Sequence, residues 1–110
     1  MKLGIIRCRQ TEEHCPGTGC FRALRQKTGA FEGIDEEIEI VGFTTCGGCP
    51  GKKAFWKARN LVERGADTVA FASCIQKGTP IGYPCPFAKK MRDLVAKDLG
   101  DKVRIIDYTH

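Results

Sequence analysis

A run of β-branched and apolar residues, Ile38 to Thr45, leads directly into Thr45-Cys46-Gly47-Gly48-Cys49-Pro50-Gly51, and an amphipathic helical pattern follows from Lys52 to Arg64. No other stretch constrains the fold so tightly. It demands a strand, a tight turn holding two thiols, and a helix. The two glycines admit backbone conformations closed to other residues and let the chain approach a bound ion or ligand closely. Pro50 suits a first helical turn, where its missing N–H costs little. A helix starting there aims its free N–H groups and its dipole at the cysteines and favours thiolate over thiol.

The same punctuation recurs along the chain. Lys2 to Cys8 reads as a first strand centred on Gly4-Ile5-Ile6. Arg9 to Gly19 is a polar, turn-rich loop carrying His14, Cys15, Pro16 and Gly17. Cys20 to Thr28 is a short helix with Cys20, Phe21 and Leu24 on one side and Thr18 as its candidate N-cap. Gly29 to Glu37 connects, anchored by Phe31 and Ile34, and Glu36 to Thr45 is the second strand. Pro50 to Arg64 is the second helix. Ala54, Ala58, Leu61 and Val62 recur at helical spacing, flanked by Phe55, with Trp56 at the edge of that face and Gly65 as the C-terminal cap. Asp67 to Cys74 is the third strand, and Ile75 to Pro84 is a loop. Cys85-Pro86 opens a third helix, repeating the Cys-Pro start, with Phe87, Met91, Leu94, Val95 and Leu99 on its apolar face and Gly100 at its end. Val103 to Tyr108 is the fourth strand.

Strands alternating with helices, and strands apolar on both faces, predict an α/β domain: a three-layer sandwich around a four-stranded parallel sheet. Right-handed crossovers give the strand order 2-1-3-4, the Rossmann or flavodoxin-like arrangement. At 110 residues the chain makes one domain, 1–110. Its 28% charged and 42% hydrophobic residues are those of an ordinary soluble protein. No apolar run approaches the roughly 18 residues of a membrane span. Met1 to Arg7 is too short an apolar run for a secretory signal, which points to the cytoplasm. The net charge of +5 is mild and lies mostly on polar helix faces, without the aromatic-basic interleaving of a nucleic-acid binder.

Seven cysteines is a high and odd count. In a reducing compartment, clustered cysteines bind metal or do redox chemistry more often than they form disulfides. Topology gathers them. The carboxyl ends of parallel strands share one edge, where ligands bind. Cys8, Cys46 and Cys74 each end a strand, Cys49 and Cys85 open helices there, and Cys15 and Cys20 lie in the first strand-to-helix connection. Neighbouring strands about 4.8 Å apart would bring three strand ends within about 10 Å. All seven cysteines are therefore candidate metal ligands, with Gly47, Gly48 and Lys52 as candidate contacts to a bound group. His14 and His110, the two histidines, are weaker candidates. A phosphate-binding loop is excluded, since neither G-x-x-x-x-G-K-[ST] nor G-x-G-x-x-G occurs. A cysteine phosphatase needs an arginine six residues after its nucleophile, whereas His14 and Lys52 follow Cys8 and Cys46 at that distance. No catalytic residue is designated.

Ile6-Arg7-Cys8, Thr18-Gly19-Cys20-Phe21, Val41 through Lys52 with its central Cys-Gly-Gly-Cys-Pro-Gly, Gly65-Ala66-Asp67, Ser73-Cys74 and Cys85-Pro86-Phe87 together resemble the CGGC-domain family of small bacterial and archaeal proteins. The likeness covers nearly the whole chain. It implies metal binding, with zinc suggested, and no substrate or reaction. With only two histidines, an all-thiolate site is favoured over a mixed one. Four thiolates suit tetrahedral zinc or an iron–sulfur cluster, and a cluster would imply a redox protein partner. The alternative is thiol–disulfide chemistry by Cys46 and Cys49. A third reading is a small-ligand or partner-binding module whose thiols are incidental.

Overall fold

In the computed structural model, which describes all 110 residues, the four apolar runs are strands. They are β1 (Lys2–Arg7), β2 (Glu39–Thr45), β3 (Thr68–Phe71) and β4 (Arg104–Ile106), all parallel, in the order β2-β1-β3-β4. The expected α/β architecture and strand order are those observed. Four helices accompany them: α1 (Thr18–Gln26), α2 (Ala54–Glu63), the single turn α3 (Ser73–Gln76) and α4 (Ala88–Leu99).

The pleat explains how the layers meet. Alternate residues of a strand point to opposite faces. Gly4 and its β1–β2 register partner Gly42 both lie under the Leu61 side chain of α2, where any side chain would collide. On the other face Phe43 meets Phe21 of α1, ring centroids 5.1 Å apart. Helix α2 packs on β1, β2 and β3 and against α4. The core is fully buried where the layers join, at Leu3, Ile5, Ile6, Phe31, Val69, Ala70 and Phe71.

Several expected boundaries move, each for a local reason. Helix α2 begins at Ala54, not at Pro50. Gly47, Gly48 and Gly51 take φ of 86°, 107° and 85°, so 46–53 is a turn. Cys49 therefore does not sit on the N-terminus of that helix. Nor does Cys85 open α4, which starts at Ala88 after Phe87. The third strand stops at Phe71, and Cys74 lies in α3 rather than ending a strand. Thr18 is inside α1, preceded by Gly17 at φ 90°, and no side chain caps that helix. Leu94, expected on the buried face of α4, is 41% exposed.

Candidate functional site

Cys8 follows Arg7 at the end of β1, and the pleat sends the two to opposite faces of the sheet. Gly4 and Gly42 face α2, and Thr44 Oγ1 accepts a hydrogen bond from Lys57 Nζ of that helix at 3.4 Å. Cys8 and Cys46 continue the same alternation toward α2 and α4. Arg7 turns to the α1 face, with its guanidinium carbon 5.1 Å from the centre of the Phe43 ring. The expectation of one shared rim meets two separate linings, three thiols in one and four in the other. The sheet itself divides them into two groups.

The first group is Cys8, Cys46, Cys49 and Cys85, which line a cavity of about 10 Å³ together with Arg9, Gly48, Gly51, Phe87 and Met91. Cys46 is buried, Cys8 and Cys85 are half-buried, and Cys49 is exposed. Gly51 holds the turn down because it packs directly on the Met91 side chain of α4. Burial pushes the Cys85 thiol above its ordinary pKa. The Phe87 N–H, 3.4 Å from its sulfur, works against that rise, and charge on Cys46, Cys49 and Cys8 adds to it.

The second group is Cys15, Cys20 and Cys74. With Arg7, Thr11, Phe43 and His110 they line a separate cavity of about 170 Å³. Cys20 Sγ lies 3.2 Å from Thr109 Oγ1, and burial raises its pKa. Burial likewise pushes Cys74 up to about 11. The backbone N–H of Cys8 donates to Cys74 Sγ at 3.2 Å and joins the two groups.

The remaining candidates fall outside. His14 is exposed and lines neither cavity. Lys52 points to solvent and lines neither, while Gly47 packs against Lys53 and only Gly48 reaches the four-thiol space. The cation at that space is Arg9, and the one at the larger cavity is Arg7. Sequence reasoning passed over both: by parity Arg7 and Arg9 would share the face opposite Cys8, but Arg9 lies in the turn beyond β1 and so reaches the other side.

Thiols suit a soft ion such as zinc, so the donor chemistry of the first group fits a metal. The spacing is looser: no three His, Cys, Asp or Glu side chains stand close enough together to form a metal-ligating set. Cys49 is the member free to close the gap, since it is exposed and its turn contains three glycines at positive φ.

Among known proteins, the CGGC-domain family model matches residues 2–110. The uncharacterized protein MJ0582 of Methanocaldococcus jannaschii is 36% identical over 111 residues, covering 96% of this chain and 81% of its own length. The uncharacterized protein MJ0766 of the same organism is 38% identical over 60 residues, 54% of this chain and 85% of its own. No solved structure shows a significant match. With its family model spanning nearly every residue, and with the Cys-Gly-Gly-Cys turn at the carboxyl edge of its sheet, this chain belongs to the CGGC-domain family.

Proposed function

We propose that the protein binds a single soft metal ion, zinc by preference, through Cys8, Cys46, Cys49 and Cys85. The observation that carries this reading is the shared lining of one small space by four thiols from three separate loops. Size supports the single ion over the cluster. A cavity of about 10 Å³ is close to the space of one water-sized sphere, which suits one ion. An iron–sulfur cluster would require the Cys-Gly-Gly-Cys turn and the segment before α4 to move apart. Bound there, the ion would tie the loops after β1, β2 and β3 together. Arg9 beside it offsets part of the negative charge of four thiolates.

The test is protein purified without oxygen and analysed for zinc, iron and acid-labile sulfide. The expected result is about one zinc per chain and no sulfide. Cys49→Ser and Cys85→Ser should each lose most of the metal, whereas Cys15→Ser should keep it. Iron with matching sulfide would replace the ion by a cluster and direct attention to an electron-transfer partner. Protein that stays metal-free after zinc reconstitution would end the reading. One observation favours the thiol–disulfide alternative: Cys49 is exposed and Cys46 is buried, as an attacking and a resolving thiol would be. In that case Cys49 thiolate attacks a partner's disulfide, Cys46 displaces the partner as a dithiol, and the Cys46–Cys49 disulfide remains.

A further inference from the structure

The larger cavity takes no part in the four-thiol site, and its lining has the makings of a ligand pocket. Arg7 projects into it from the end of β1. Its guanidinium makes no ion pair, and its one hydrogen bond goes to the carbonyl oxygen of Cys15. A guanidinium carries five N–H donors, so most of Arg7's remain uncommitted. Thr11 lines the same cavity at 1% exposure, and its hydroxyl has no hydrogen-bond partner. A buried hydroxyl left unpaired is costly, so a ligand acceptor at this point is favoured.

Much of the rest of the wall is apolar. Phe43, Ala72 and Pro80 supply hydrocarbon surface. Cys15, Cys20 and Cys74 add three thiols to the lining. At about 170 Å³ the space is comparable with a cavity of roughly 150 Å³ that holds benzene. One cation, one unpaired hydroxyl and an apolar wall define the complementary ligand. A phosphate dianion would leave the hydrocarbon surface uncovered.

We propose that this cavity binds a small monocarboxylate with an apolar body, its carboxylate on Arg7 and the Thr11 hydroxyl and its body against Phe43, Ala72 and Pro80. His110 stands at the mouth, with its backbone oxygen held by Ser73 Oγ and Lys77 Nζ, each at 2.8 Å. The site does not rest on the metal reading: its lining shares no residue with the four-thiol space, although the Cys8 N–H to Cys74 Sγ hydrogen bond links the two groups.

Titration of the full chain with benzoate and with propionate, followed by calorimetry and saturation-transfer NMR, tests the proposal. At least one should bind saturably with a Kd on the order of 1 mM or tighter. Benzamide, the neutral counterpart of benzoate, should bind about tenfold more weakly or worse, because it cannot make the charge-assisted pair. Arg7→Gln should weaken carboxylate binding at least about tenfold, and Thr11→Val about three- to tenfold. Lys89→Gln, on the far surface of α4, should change nothing. Benzamide binding as tightly as benzoate would overturn the proposal, as would inorganic phosphate displacing benzoate at equal concentration. Failure of both carboxylates to bind would do the same. If Arg7→Gln does not fold, Thr11→Val decides, since it keeps the side-chain shape, and an unchanged affinity there refutes the assignment. Metal content is read on the same samples, so loss of the metal reading leaves this result standing.

Discussion

Cys49 is the one thiol of the seven that is exposed, while Cys20, Cys46 and Cys74 are buried. Accessibility and ionisation together set thiol reactivity. In chelator-treated protein at pH 8, iodoacetamide should label Cys49 first and Cys20 and Cys74 last, read by mass spectrometry of peptides. Rapid labelling of Cys74 in the folded protein would contradict its packing. The same residue governs an alkaline limb of stability. Burial raises Cys74 from 9.0 to about 11, so the folded state holds its proton more tightly than the unfolded state. Its stabilising contribution is whole below pH 9 and is lost as pH rises through about 11, and two pH units correspond to about 2–3 kcal/mol. Cys20 shifts in the same direction for the same reason. Urea denaturation in reductant and chelator, compared between pH 8 and pH 10.5, should show this fall. Cys74→Ala should flatten it, and an equally steep fall in that variant would assign the limb to other groups.

At the level of elements, α2 lies so close to the sheet that β1 and β2 carry glycine beneath it. A β-carbon on Gly4 would come within 2.6–2.9 Å of three atoms of the Leu61 side chain, and one on Gly42 within 2.6 Å of a single terminal carbon. Gly4→Ala should therefore cost about 1–3 kcal/mol, more than Gly42→Ala, because Leu61 can yield at its tip but not at its branch point. Thermal or urea denaturation of Gly4→Ala in the wild-type and Leu61→Ala backgrounds would show the coupling. If the cost is the same in both, Leu61 is not what holds that glycine. Helical period made α2 and α4 legible, and continuous apolar runs did the same for β1, which is buried along its centre, and for the half-buried edge strand β2. Boundaries at the thiols were not legible. Cys49-Pro50 looks like a helix start, yet three glycines at positive φ keep the chain turning until Ala54. The apolar run from Val69 to Ile75 conceals a change from strand to helix at Ser73, since both forms are buried there and neither alternates. Thr18 has the chemistry of a cap, but Gly17 takes the left-handed conformation before it and Thr18 enters the helix.

Across the whole molecule, the carboxyl edge of the sheet carries two cavities with no lining residue in common. Counting strand ends placed the thiols on that edge. It missed that parity divides Arg7 from Cys8, which needs the register of Arg7 with Thr45 and the contacts of Gly42 with α2. The larger cavity also depends on the end of the described chain, since Thr109 and His110 return across α3. Ser73, fully buried, accepts hydrogen bonds at its Oγ from the backbone N–H groups of Thr109 at 3.1 Å and His110 at 2.8 Å. That hydroxyl donates to the His110 carbonyl oxygen at 2.8 Å, while Thr109 Oγ1 lies 3.2 Å from Cys20 Sγ on α1. One serine therefore fastens the mouth of this cavity and touches nothing in the four-thiol space. Ser73→Ala strands the buried N–H of Thr109 and the part-buried N–H of His110 and should cost about 1–3 kcal/mol in urea denaturation. The same change should weaken benzoate binding several-fold, as the mouth loosens, and leave the zinc content per chain unchanged. Loss of both together would mean that the two cavities act as one site, and that the sheet does not insulate them.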